Sequence, residues 1–144
     1  MNKVMSRAMR GVNTLAVAMY RRSGGRVGGS AKGVEVLLLT VSGRKTGRRF
    51  TVPVAYIEHD GGYVVAGSAG GMKDEPQWFR NLQAAGHAEV ELGRTALSVD
   101  AHVAHGAERD RLWRDVVLAR APFFDKYQEK AGRVIPVATL VPRP

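Results

Sequence analysis

Cysteine is missing from all 144 residues. That excludes disulfides and thiolate metal sites, and nothing ties the chain to an oxidising compartment. Histidine is scarce, and the only close pair, His102 and His105, is three apart on a predicted strand and therefore points to opposite faces. No metal site is expected. Aromatics make up only 7% of residues, which counts against a groove built on stacked bases. No apolar run is long enough to span a bilayer. The start, "MNKVMSRAMRGVNTLAVAMYRR", is basic but lacks a continuous apolar stretch and an A-x-A site, so it does not read as a signal peptide. The usual nucleotide and nucleophile fingerprints are absent too: no G-x-G-x-x-G after a strand, no G-x-x-x-x-G-K-[ST], no G-x-S-x-G.

What is present is positive charge. Lys and Arg number 22 against 13 Asp and Glu, giving +9 and a pI near 10.5. That balance favours anionic partners: nucleic acid, acidic lipid, or a phosphorylated or carboxylated small molecule. The length and 44% apolar content fit one globular domain spanning 1–144.

Hydrophobic periodicity orders the chain. Residues 3–22 read as an amphipathic helix with Val4, Ala8, Val12, Leu15 and Met19 as its stripe. "SGGRVGGSAKG" (23–33) reads as a flexible glycine-rich connection. Residues 34–41 form an apolar run suited to a strand buried on both faces, and 50–58 a second strand in which Pro53 implies an edge or a bulge. "HDGG" turns into a third strand, 63–68. A helix fits 76–85 between Pro76 and Gly86. Strands follow at 88–93 and 96–105. Next come a helix at 107–120 with Leu112, Val116 and Ala119 as its stripe, a short helix at 123–131, and a last strand at 134–141. About six strands joined mainly by tight turns predict an antiparallel sheet closed into a small barrel, an α+β, mainly β, domain.

Three stretches could carry chemistry. "SGRKTGRR" (42–49) gathers Arg44, Lys45, Arg48 and Arg49 at one turn. Such a turn is either solvated surface or a cradle for anions, with Arg44 as a planar fork and Lys45 as a point charge. "VVAGSAGGMKDEPQWFRNL" (64–82) runs small residues into a helix start, where free amides receive carbonyls or anions. Trp78 and Asn81 share a face of that helix, and Asn81 either meets a ligand or bonds loop backbone. "APFFDKYQEKAG" (121–132) places Phe124 and Tyr127 on one side of a turn, as core or as a lid over a planar substrate.

Taken in order, "LLLTVSGRKTGRR", "DGGYVVAGSAGG", "PQWFRNL" and "RVIPVATLVP" resemble the deazaflavin-dependent nitroreductase family of actinobacteria, including mycobacteria, which uses reduced coenzyme F420. The likeness extends to "MYRRSGGRVGG" and so covers nearly the whole chain. It implies a split β-barrel oxidoreductase. By similarity, Arg44, Lys45 and Thr46 would meet the coenzyme's phosphate and acidic tail. Phe50, Val52, Pro53 and Val54 would line its path. Ala66, Gly67, Ser68 and Ala69 would face the deazaflavin, beside Trp78 and Asn81. Phe124 and Tyr127 would line the acceptor pocket, with either Tyr127 or water as proton donor. The implied reaction is hydride transfer to an electron-poor small molecule: an unsaturated lactone or ester of coumarin or aflatoxin type, a quinone, or a nitro compound.

Two departures stand out. Where the family often has S-K-G-G, this chain has Ser68-Ala69-Gly70-Gly71, so that either one coenzyme contact is lost or Lys73 replaces it. Where members carry a spaced set of tyrosines, it reads Ala121, Phe124 and Tyr127. Two other functions stay open at this point. A split barrel holding flavin mononucleotide would use Arg44 and Lys45 for the phosphate. A basic nucleic-acid-binding barrel is the non-enzyme alternative. The N-terminal helix could dock on the barrel or lie on an anionic membrane. The expected location is cytoplasmic, with peripheral contact at the inner face of the membrane if the helix takes the second course. The chain could be a monomer or a homodimer.

Overall fold

The structure is a computed structural model that describes the backbone of residues 3–144 and side chains from Asn13 onward. Its elements are α1 (Lys3–Ser23), β1 (Ser30–Ala31), β2 (Val34–Ser42), β3 (Arg49–Ala55), β4 (Ile57–His59), β5 (Gly62–Ala66), α2 (Gln77–Ala85), β6 (His87–Leu92), β7 (Thr95–Val103), α3 (Gly106–Leu112), α4 (Leu118–Arg120), α5 (Phe124–Ala131) and β8 (Val137–Pro142). A π-helical turn, Trp113–Val117, joins α3 to α4.

All strand pairs are antiparallel. The path runs β1-β2-β6-β7-β8-β5-β4, with β3 on the other side of β2. Only Tyr56 separates β3 from β4. That one bent segment pairs with β2 through Arg49–Ala55 and with β5 through Ile57–His59, so it ties the two ends of the sheet together. The result is the expected split barrel. Pro53 sits on β3, whose pairing is with β2 alone; a residue without an N–H is tolerated at such an edge.

Both faces of β2 are buried, as its unbroken apolar run requires. Leu37 and Leu39 join Val41, Val54, Val65, Val90, Val99 and Leu140 inside the barrel, and Phe79 and Leu82 of α2 close that core. Val36 and Leu38 face outward against Val17 and Tyr20 of α1. A second core packs Val64, Ala66 and Val137 against Trp113, Val117, Phe124 and Ile135.

Three expectations change. In α1 the face on the barrel is Val17 and Tyr20, while Leu15 and Met19 are exposed. The reason is Tyr20, whose hydroxyl donates toward Val36 O (3.1 Å) and Glu91 O (3.2 Å) and accepts from Gly93 N–H (2.8 Å). Val4, Ala8 and Val12 lie outside the described side chains. The glycine-rich connection is a packed turn: a Cβ on Gly29 would fall 1.8 Å from Gly25 O, so only glycine lets the chain cross itself there. In the late helix Ala119 is exposed and Trp113 and Val117 are buried with Leu112 and Val116. The π turn adds residues to one turn and rotates the helix face that follows.

Candidate functional site

The basic turn is folded on itself. Gly43 N–H donates to Arg48 O (2.7 Å), Gly47 N–H to Gly43 O (2.8 Å), and Thr46 Oγ1 accepts from Arg48 N–H (3.3 Å). Gly47 holds φ 74°, which a side chain would resist. Asn81, buried on α2, fixes the turn from below. Its Oδ1 accepts from Arg44 N–H (3.1 Å) and from Arg44 Nη1 (2.8 Å). The amide therefore bonds loop backbone, but of the basic turn. Arg49 pairs with Glu89 at 2.8 Å and is withdrawn from any anion site. Arg44, Lys45 and Arg48 are exposed and pair with no carboxylate among the described residues.

The loop after β5 also meets α2, at Phe79. Gly67 donates to Pro136 O (2.9 Å), and a Cβ there would meet Phe79 Cδ2 and Pro136 Cγ at 3.0 Å. Ser68 is buried and right-handed, and then Ala69 (φ 49°), Gly70 (φ 64°) and Gly71 (φ 88°) are all left-handed. A non-glycine residue at positive φ is uncommon and marks local strain. Gly71 packs on α5: a Cβ would lie 3.2 Å from Tyr127 Cα.

One helix relates two of the sequence-predicted stretches: Asn81 of α2 bonds Arg44 of the basic turn, and Phe79 of the same helix lies against Gly67. Gly71, at the end of that loop, lies against Tyr127. Trp78 is half-buried beside Phe79, ring centroids 5.4 Å apart. Phe50, Val52 and Val54 share one face of β3, opposite Val41, Leu39 and Leu37; Val54 is wholly core. Pro53 does not join them. Its partner is Leu38, so register puts it on the face that α1 covers. Phe124 is also core. It lies edge-on to Trp113 and stacks on Phe123 (4.8 Å). It belongs to the same packed core as Ala66, Val34 and Val117.

Two residues escaped sequence reasoning. Lys32, at φ 52° in the β1–β2 turn, donates from Nζ to Tyr127 Oη and lies over the rings of Tyr127 (4.8 Å) and Phe123 (5.1 Å). Arg133, between α5 and β8, donates to carbonyls of the 67–74 loop. A Lys-Gly turn signal was available for the first. For the second there was none, since a lone arginine before "VIP" has no local pattern.

Residues 13–142 match the family described as F420H(2)-dependent quinone reductase. The chain belongs to that family. A candidate F420H2-dependent quinone reductase of Mycobacterium tuberculosis is 40% identical over 115 residues, 80% of this chain and 96% of that protein. A second M. tuberculosis protein, named an F420H2-dependent quinone reductase, is 33% identical over 129 residues, 88% of this chain and 87% of its own length. The solved structure of an F420H2-dependent reductase superposes with a TM-score of 0.65 at 31% identity, covering 73% of this chain and 92% of the other. Within this quinone reductase family the chain is an oxidoreductase. Among the described residues no group of three or more His, Cys, Asp or Glu could hold a metal, and no helix is long and apolar enough to cross a membrane.

Proposed function

We propose that this chain reduces quinones with coenzyme F420H2, and accepts other electron-poor small molecules, including unsaturated lactones and esters of coumarin or aflatoxin type and nitro compounds. The observation that carries this is the basic turn: Arg44, Lys45 and Arg48 have no acidic partner among the described residues, Asn81 of α2 holds Arg44, and the strained small-residue loop lies against Phe79 of the same helix. Reduced coenzyme F420, when bound, supplies a hydride; the protein supplies position and a dry pocket. Arg44, Lys45 and Thr46 hold the phosphate and acidic tail. Phe50 and Val52 flank the path toward the loop of Ala66, Gly67, Ser68 and Ala69, with Trp78 at its side. Alignment of donor and acceptor removes several kcal/mol of barrier.

The acceptor oxygen gains a proton as the acceptor gains its hydride, so a quinone leaves as hydroquinone. Tyr127 donates that proton. Lys32 already donates into Tyr127 Oη, which directs the phenol's own hydrogen elsewhere and holds the ring in place. Phe123 and Tyr127, ring centroids 5.7 Å apart, form the aromatic cover that Phe124 was expected to supply.

The test is turnover. Reduced coenzyme F420 is mixed with the protein and menadione, a coumarin or a nitroaromatic, and return of the oxidised coenzyme's absorbance is followed. Oxidation with none of the three ends the enzyme reading. Tyr127→Phe should lower kcat on the order of 100-fold, the size of a lost general acid; unchanged turnover assigns the proton to water. Trp78 fluorescence should quench on titration with coenzyme F420 and less with flavin mononucleotide. Equal or stronger quenching by the flavin would turn the site over to that cofactor.

A further inference from the structure

Arg133 is bonded to four carbonyls of the loop after β5. Its Nη2 lies 3.1 Å from Gly67 O, 3.3 Å from Ser68 O and 3.2 Å from Asp74 O, and its Nε donates to Met72 O at 3.2 Å. Its Nη1 is enclosed and has no hydrogen-bond partner among the described residues. No carboxylate pairs with it among them either. An enclosed donor without an acceptor is rare enough to require an explanation. A guanidinium bonded only to neutral carbonyls also keeps its full positive charge.

The clamp has a geometric consequence. In a trans peptide the carbonyl of one residue and the N–H of the next point in opposite directions. With Gly67 O and Ser68 O drawn to Arg133, the N–H groups of Ser68 and Ala69 face away from it. Neither amide donates to a backbone carbonyl outside the regular elements among the described residues. The step from right-handed Ser68 to left-handed Ala69 sets such amides in a concavity suited to an anion or a carbonyl.

We propose that Arg133 is a positioning residue of the coenzyme site. It draws the carbonyls of the 67–74 loop to one side, turns the Ser68 and Ala69 amides outward as donors for the polar edge of the deazaflavin, and sets an unneutralised positive charge behind them. This inference rests on the coenzyme assignment above. It explains how Ala69 persists at positive φ, because four carbonyl contacts over-determine the loop. It also explains why the clamp is an arginine: the planar fork reaches several carbonyls that a point charge could not. The charge favours any anionic form of the ring, so the bound oxidised coenzyme should lose its ring-hydroxyl proton at lower pH than the free coenzyme.

The experiment uses the full chain and oxidised coenzyme F420 with wild type, Arg133→Lys and Arg133→Gln. Tryptophan quenching reads affinity, and visible absorption against pH reads ionisation of the bound ring. Both variants should lose affinity on the order of tenfold, the scale of a charge-assisted hydrogen bond. Only Arg133→Gln should move the spectral midpoint upward, by roughly one pH unit. A merely structural arginine would weaken binding and leave the midpoint at one pH in all three proteins, which overturns the inference. Wild-type binding with both variants unchanged overturns it alone; no binding by wild type overturns the coenzyme assignment as well. If circular dichroism shows either variant misfolded, the wild type still decides. A bound midpoint equal to or above that of free coenzyme sinks the idea.

Discussion

Asn81 shows how one buried amide governs a charged surface. Its oxygen receives the backbone and the guanidinium of Arg44, and it is only 6% exposed. Asn81→Ala should cost about 1–3 kcal/mol, because it leaves a partly buried N–H unmade. A lower urea midpoint would report it, together with weaker coenzyme binding. Asn81→Asp separates the two effects. A carboxylate still accepts both bonds, so stability should stay near wild type, but it neutralises Arg44. Coenzyme affinity should then fall about tenfold and lose part of its salt dependence. Unchanged affinity in Asn81→Asp would mean that Arg44 does not meet the coenzyme. The sequence marked Asn81 as a residue needing a partner; it could not say that the partner lay 37 positions away.

Among the elements, α1 illustrates the difference between forming a helix and choosing its face. The 3.6-residue period was legible. The buried stripe was not, because Tyr20 outcompetes Leu15 and Met19 by offering three backbone partners on the barrel. Tyr20→Phe should destabilise the protein by about 1–3 kcal/mol, since Gly93 N–H loses its acceptor. Thermal melting checks this, and a melt identical to wild type would show that the Tyr20 hydroxyl does not hold α1 on the barrel. The loop after β5 makes the companion case. Gly67→Ala would press a methyl against Phe79 and Pro136, both at 3.0 Å, and should cost about 1–3 kcal/mol with parallel loss of coenzyme affinity. Intact affinity would show that the loop tolerates displacement.

At the scale of the molecule, closure of the barrel depends on the bend at Tyr56. Burial, and then its 2.6 Å hydrogen bond to the Glu35 carboxylate, raise this phenol well above its ordinary value. The folded state therefore favours the neutral form. That contribution is complete below the unfolded value near pH 10 and is lost as pH rises from there toward the folded value. Tyr56→Phe should lower stability at neutral pH, where the Glu35 bond is intact in wild type, and should flatten the alkaline limb of a stability–pH profile above about pH 10. A limb of unchanged slope would show that the bend is not what titrates.

By itself the sequence determined the local matters: where helices begin and end, which turns are tight, that β2 is buried on both faces, and that cations crowd one bend. Each is written within a few residues, in periodicity, glycine or charge. The tertiary structure alone decided which cations stay free, since Arg49 goes to Glu89, 40 positions on. It alone joined Lys32 to Tyr127 across 95 positions and Arg133 to Gly67 across 66. Such contacts depend on how sheet register and helix docking bring distant segments together, and no local pattern of residues encodes that distance.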